Sequence, residues 1–158
     1  MKVDGSKTTM FDLELLYKDS ECVVGKWVAE EDSYGLEKGS YSYGVWLFDK
    51  FWTAYRIHRP CGSLVKYRFD ACEYPEFTEH DHESVPEIQF RDLLLDASVY
   101  EEEGIYRVQF EDRDEVEAYK NSLDQTQLKL INCFSDLFEK HPEVPIHLVN
   151  NAIRRCSS

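Results

Sequence analysis

The sequence predicts an α+β fold: a strongly twisted, barrel-like antiparallel sheet with C-terminal helices packed outside it. Three observations carry this. Between Phe11 and about Val108, short alternating stretches rich in Tyr, Trp, Val and Phe are broken by Gly, Pro and Asp, the pattern of strands. From Asp112 onward apolar residues recur every three or four positions, the period of helices. The strands follow one another through short turns, which favours antiparallel neighbours. At 158 residues the chain is read as a single domain, 1–158, with a β-rich barrel over about 11–110 and a helical part over about 112–156.

Taken in order, the clearest hairpin runs from the strand Phe51–His58 through Arg59-Pro60-Cys61-Gly62 into the strand Ser63–Asp70. The segment Glu73–Glu87 is a long, acidic, proline-containing loop, and Asp92–Tyr100 is a further strand. A short acidic helix is expected from Asp112 to about Asn121, with Asp112 and Glu115 at capping-box spacing. A longer helix spans Asp124 to about Lys140, carrying Leu128, Ile131, Phe134 and Phe138 on one stripe. Prolines at 142 and 145 break the pattern, and a last helix with Ile146, Val149 and Ile153 in line runs from about Pro145 to Arg155.

Composition excludes several function classes. Acidic residues outnumber basic ones 31 to 18, for a net charge of −13, which argues against a duplex DNA partner and against docking to an anionic membrane. With 42% hydrophobic and 14% aromatic residues the chain is too apolar for a disordered acidic tail. The five cysteines are scattered and never spaced C-x-x-C, the first residues lack an apolar signal core, and no apolar run approaches the ~18 residues of a membrane span. A soluble cytoplasmic protein with reduced thiols is expected.

Alternation along the strands sorts the charged residues. Val65, Tyr67 and Phe69 share one face of their strand, and Lys66, Arg68 and Asp70 share the other. In the partner strand Tyr55 and Ile57 are assigned to the apolar face, Arg56 and His58 to the charged one. Leu93, Leu95, Ala97 and Val99 are apolar, with Asp92 and Asp96 pointing away. This mixed face reads as a solvated, salt-bridged surface, as an interface, or as a site where carboxylates hold a hard cation and Lys or Arg neutralises phosphate.

The run Asp92-Leu93-Leu94-Leu95-Asp96 with Val99-Tyr100, then a glycine turn and Glu111-Asp112-Arg113-Asp114-Glu115, resembles the core of the domain-of-unknown-function 402 family. Phe51-Trp52 leading through Gly62 into Tyr67-Arg68-Phe69-Asp70 resembles its preceding hairpin. The likeness covers about Trp46 to Lys120. That family includes nucleoside tri- and diphosphate phosphatases and the cytidylyl hydrolase of the fosfomycin pathway. The resemblance implies a divalent-cation-dependent phosphohydrolase acting on nucleoside di- or triphosphates or on a nucleotidyl conjugate, with Mg²⁺ or Mn²⁺ as cofactor. It places the metal ligands on Asp70, Asp92, Asp96, Asp112 and Glu115; beside them Lys66 and Arg68, facing the same way as Asp70, are expected to grip the phosphates, with Arg56 as a further phosphate contact that stabilises the leaving group. Arg68 and Lys26 are the catalytic candidates, Lys26-Trp27 lying one place out of the family's register for a proton donor. Leu94 stands where the family's strand motif carries a middle aspartate. On a flat strand Asp92 and Asp96 would be about 13 Å apart, too far to share one ion.

The alternative is a non-catalytic nucleotide- or RNA-binding module, since similar domains occur in RNase E/G-like proteins. Trp27, Trp46 and Trp52 are read as core packing, the His80/His82 loop as solvated, and His58, Cys61 and Cys72 as structural. The sequence leaves the oligomeric state open, a homodimer included.

Overall fold

The computed structural model describes residues 13–33, 35–78 and 87–157. Its main sheet has seven antiparallel strands: β1 (Glu14–Lys18), β2 (Cys22–Val28), β3 (Tyr41–Leu47), β4 (Trp52–His58), β5 (Leu64–Cys72), β8 (Asp92–Glu102) and β9 (Ile105–Glu111). They lie in the order β1-β2-β3-β4-β5-β8-β9. Between β5 and β8 the chain leaves the sheet to form a separate two-stranded one from β6 (Glu76–Thr78) and β7 (Glu87–Gln89). A hydrogen bond from the Glu73 amide to the Arg91 carbonyl, 2.9 Å, ties the two ends of this excursion together. The His80/His82 loop lies outside the described residues.

The expected barrel is not formed. β1 and β9 are the two edges of an open sheet and are not paired with each other. Short turns dictate which strands are neighbours. Closure depends instead on pairing the first strand with the last at a matching stagger, which no local signal encodes.

Three helices follow: α1 (Arg113–Tyr119), α2 (Gln125–Lys140) and α3 (Glu143–Arg155). The capping box sits on α2, not α1. Asp124 accepts from the Gln127 amide at 2.7 Å, and Gln127 accepts from the Asp124 amide at 3.0 Å. Asp112 has a left-handed backbone, φ 68°, and makes no side-chain cap. The last helix begins at Glu143, so Pro145 lies within its first turn, where a missing amide hydrogen costs nothing.

Helices α2 and α3 cover one face of the sheet. Ile131, Phe134 and Phe138 of α2 and Ile146, Val149 and Ala152 of α3 pack on Val24, Val45, Trp52, Ala54, Phe69 and Ala97. Phe138 is the centre of this core, its ring 4.6 Å from both Phe69 and Phe134. Two glycines are dictated by geometry. Gly62 turns β4 into β5 at φ +96°, and a Cβ on Gly44 would collide with the Trp46 indole lying over it.

Because Phe138 is fully buried and joins sheet to helix, Phe138→Ala is expected to cost about 3–5 kcal/mol. Urea denaturation followed by far-UV circular dichroism measures this directly.

Candidate functional site

The register fixes which side chains can meet. On the helix face a row runs Lys26, Tyr43, Arg56, Tyr67, Val99 across β2, β3, β4, β5 and β8. On the opposite, polar face the rows are Tyr55, Arg68, Ser98 and Thr53, Asp70, Asp96, Glu111. Arg56 and His58 therefore lie on the other side of the sheet from Lys66, Arg68 and Asp70, and the assignment of β4's faces is corrected. Trp52 and Ala54 point into the core, so Tyr55 and Ile57 face the polar side. Lys26 is likewise on the helix face.

On the polar face Asp70 and Asp96 are direct cross-strand partners, both buried. Arg68 joins them, its Nε donating to Asp70 Oδ1 and its Nη2 to Asp96 Oδ2, each at 3.0 Å. Beside this triad Lys66 Nζ donates to Ser98 Oγ at 3.2 Å, and Ser98 donates to Glu111 Oε1 at 3.1 Å. Glu111 belongs to the site and went unread. Alternation back from Gln109 would have found it.

Electrostatics follow from this packing. Burial, reinforced by the Asp70 and Asp92 carboxylates and only partly offset by Arg68, pushes the Asp96 carboxyl up to about 10. Burial thus favours the protonated form of Asp96. Burial opposes the charge on Arg68, but Asp70 and Asp96 outweigh it and hold the guanidinium above its ordinary value. Asp96 Oδ1 has no hydrogen-bond partner, and the buried Ser42 Oγ, Trp46 Nε1 and Thr53 Oγ1 of the same face also lack one.

The strand that carries Asp96 is not flat. Asp70 pairs with Asp96 and Cys72 with Asp92, so Leu93, Leu94 and Leu95 together face the single residue Ala71. Leu94 takes a left-handed backbone, φ 77°, and its amide donates to Asp92 Oδ1 at 2.7 Å. All three leucines are buried. The bulge aims Leu94 into packing and engages one Asp92 oxygen with backbone.

The metal-binding expectation is corrected accordingly. Among the described residues no group of three or more His, Cys, Asp or Glu side chains is placed to hold a metal ion. Asp70 and Asp96 come together, but Asp112 and Glu115, at the start of α1, do not complete a ligand set with them. A guanidinium already bridges Asp70 and Asp96, and a magnesium ion demands near-octahedral oxygen ligation at about 2.0–2.1 Å. As they stand, these residues do not fit a resident Mg²⁺ or Mn²⁺ ion.

No family model and no curated protein matches the chain. Solved structures do. The complex of FomD with CDP aligns at a TM-score of 0.59 and 9% identity, covering 81% of this chain and 73% of that one. The phosphatase SC4828 with the non-hydrolysable nucleotide GPCP aligns at 0.60 and 9% identity, covering 81% and 71%. The fold thus resembles those of two nucleotide-bound proteins, and at 9% identity the likeness concerns the fold alone. Among the described residues no helix is long and apolar enough to cross a membrane.

The raised Asp96 has a measurable consequence. Its native carboxyl keeps a proton that the unfolded chain loses near its ordinary value of about 3.9. Its contribution to stability is therefore fully present below about pH 4 and is lost as pH rises toward 10. Asn cannot ionise, so Asp96→Asn is expected to flatten the fall in stability between pH 5.5 and pH 8.5 (about the range accessible to urea titration). An unchanged slope would mean that Asp96 is ionised in the native protein.

Proposed function

We propose that this protein binds the phosphates of a nucleoside di- or triphosphate, or of a nucleotidyl conjugate, on the polar face and hydrolyses the bound phosphoester or phosphoanhydride. The observation that carries the reading is the Arg68–Asp70–Asp96 triad, in which two buried cross-strand carboxyls share one guanidinium and burial favours a proton on Asp96. Hydrolysis of this kind needs the phosphates positioned, their charge neutralised, a water deprotonated and the leaving oxygen protonated. Arg68, 41% exposed at its side chain, and the nearby Lys66 supply positive charge to the phosphates. Asp96 supplies the proton to the leaving oxygen, and Asp70 accepts one from the attacking water. The proton on Asp96 and the charge on Arg68 also remove the repulsion that an acidic surface would exert on a polyanion. Mg²⁺ or Mn²⁺ enters this reading as the counter-ion of the nucleotide, part of the substrate. The fold likeness to FomD and SC4828 supports the choice of nucleotides as ligand class.

A second reading, a non-catalytic nucleotide- or RNA-binding module, is favoured by Leu94. Its burial in the β8 bulge leaves the polar face without the oxygen that the family's strand motif carries.

The test is phosphate release from a panel of nucleoside di- and triphosphates, with and without Mg²⁺ or Mn²⁺. Wild-type protein is expected to release phosphate. Asp96→Asn should slow turnover by about 10²–10⁴-fold, the usual contribution of a general acid, while leaving nucleotide affinity intact. Nucleotide binding without any phosphate release would reject the hydrolytic reading and leave the module.

A further inference from the structure

The helix face carries a second set of cations that the polar-face chemistry does not use. Beside α3 a cleft of about 410 Å³ is lined by Arg56, His58, Leu64, Tyr67, Asn150 and Arg154. Lys26 lies in the same cross-strand row as Arg56, separated from it by Tyr43. Its Nζ is 4.8 Å from the Tyr41 ring centroid, and the Arg56 guanidinium is 5.2 Å from that of Tyr43.

What distinguishes these cations is their partners. Arg68, Arg107, Arg113 and Arg155 each hold a carboxylate. Arg56 instead donates to His58 Nε2 at 3.0 Å and to Asn150 Oδ1 at 2.8 Å, both uncharged acceptors. Arg154 donates to the Asn150 carbonyl at 3.3 Å and to Asn151 Oδ1 at 2.8 Å, again uncharged. Each guanidinium carries five N–H groups, so each keeps donors uncommitted. Among the described residues neither Arg56, Arg154 nor Lys26 is within ion-pair distance of an acid, in a chain with 31 acidic residues.

His58 keeps the arrangement in place. Its Nδ1 lies 3.0 Å from the Gly62 carbonyl, while its Nε2 accepts from Arg56. Only the neutral ring protonated at Nδ1 satisfies both contacts. The ring, stacked on Tyr41 at 4.9 Å, thus orients Arg56 without neutralising it. Asn150 pairs with the Tyr67 hydroxyl at 3.2 Å and serves as the other fixed acceptor. Two guanidinium groups held at one cleft by neutral partners, with their remaining donors unspent, form a receptor for an anion presenting several oxygens.

We propose that the cleft between β4, β5 and α3 is an anion site that takes a phosphate group of a small phosphorylated ligand through Arg56 and Arg154, with Lys26 supplying further positive charge. It stands independently of the polar-face reading, because the two sets of cations are on opposite faces of the sheet. Guanidinium pairs bind phosphate by parallel N–H to oxygen bonds, which chloride cannot reproduce.

Isothermal titration of the whole protein with inorganic pyrophosphate, at ionic strength matched with chloride, tests the site. Arg154→Gln changes an exposed residue late in α3 and should not disturb folding. It is expected to weaken pyrophosphate binding at this site by about tenfold or more, the loss of one charge-assisted hydrogen bond. Arg56→Met should weaken it at least as much, and Arg107→Gln, at an exposed arginine paired with Glu102, should leave this binding event unchanged. Absence of pyrophosphate binding in the wild-type protein would overturn the proposal. So would binding that survives Arg154→Gln but disappears in Arg68→Met, a result that would place the anion on the polar face alone.

Discussion

Side-chain alternation along seven antiparallel strands divides the charges of this protein into two sets that cannot meet. One residue of register decides whether an arginine faces the helices or the opposite side. Arg56 and Arg68 are cross-strand neighbours of successive residues on β5 and β4, yet they belong to different chemistries. Arg68 meets two carboxylates, while Arg56 meets an imidazole and an amide. The register also brings Asp70 and Asp96, 26 positions apart in the chain, to the same height in adjacent strands. Everything distinctive about the polar face follows from that pairing.

Placing two carboxyls opposite one another in a buried position is costly unless charge is removed or balanced. Both remedies operate here. Arg68 supplies a positive charge to each, and burial favours a proton on Asp96 that would remove one negative charge. The neighbouring chain from Lys66 through Ser98 to Glu111 repeats the balance beside it, with a hydroxyl as intermediary. An acidic surface becomes nearly neutral by internal arrangement. The proposed reading of a polyanion on this face rests on that balance.

Much of this was legible in the sequence, and what was missed failed for identifiable reasons. The stripes of α2 and α3 follow directly from Ile131, Phe134 and Phe138 and from Ile146, Val149 and Ile153, because helical period is local. The hairpin through Gly62 was equally plain. The faces of β4 were misread because Tyr55 and Ile57 are more apolar than Arg56 and His58, whereas the register is set by Trp52 and Ala54 and by an irregularity between Ile57 and His58. The spacing of Asp92 and Asp96 left open whether their strand bends, yet three consecutive leucines cannot all be buried on a strand that buries one face; they signalled the bulge. Barrel closure was beyond reach, since it depends on two strands nearly ninety residues apart choosing not to pair.

The open sheet bears on function through its helices. In a closed barrel the residues facing inward would fill the lumen. Here the helix face is capped by α2 and α3 over only part of its width, with the aromatic core of Phe69, Phe134 and Phe138 beneath α2. Toward Tyr41, His58 and Leu64 the sheet extends past that core, and the row Lys26, Tyr43, Arg56, Tyr67 lies at the transition. Its residues are half polar for that reason. The tyrosine rings continue the apolar layer, and Arg56 reaches beyond it to the edge of α3, where Asn150 meets it and Arg154 shares the cleft. The partial coverage of this open sheet thus creates the place where the positive charge of Arg56 and Arg154 is held without an acidic partner among the described residues.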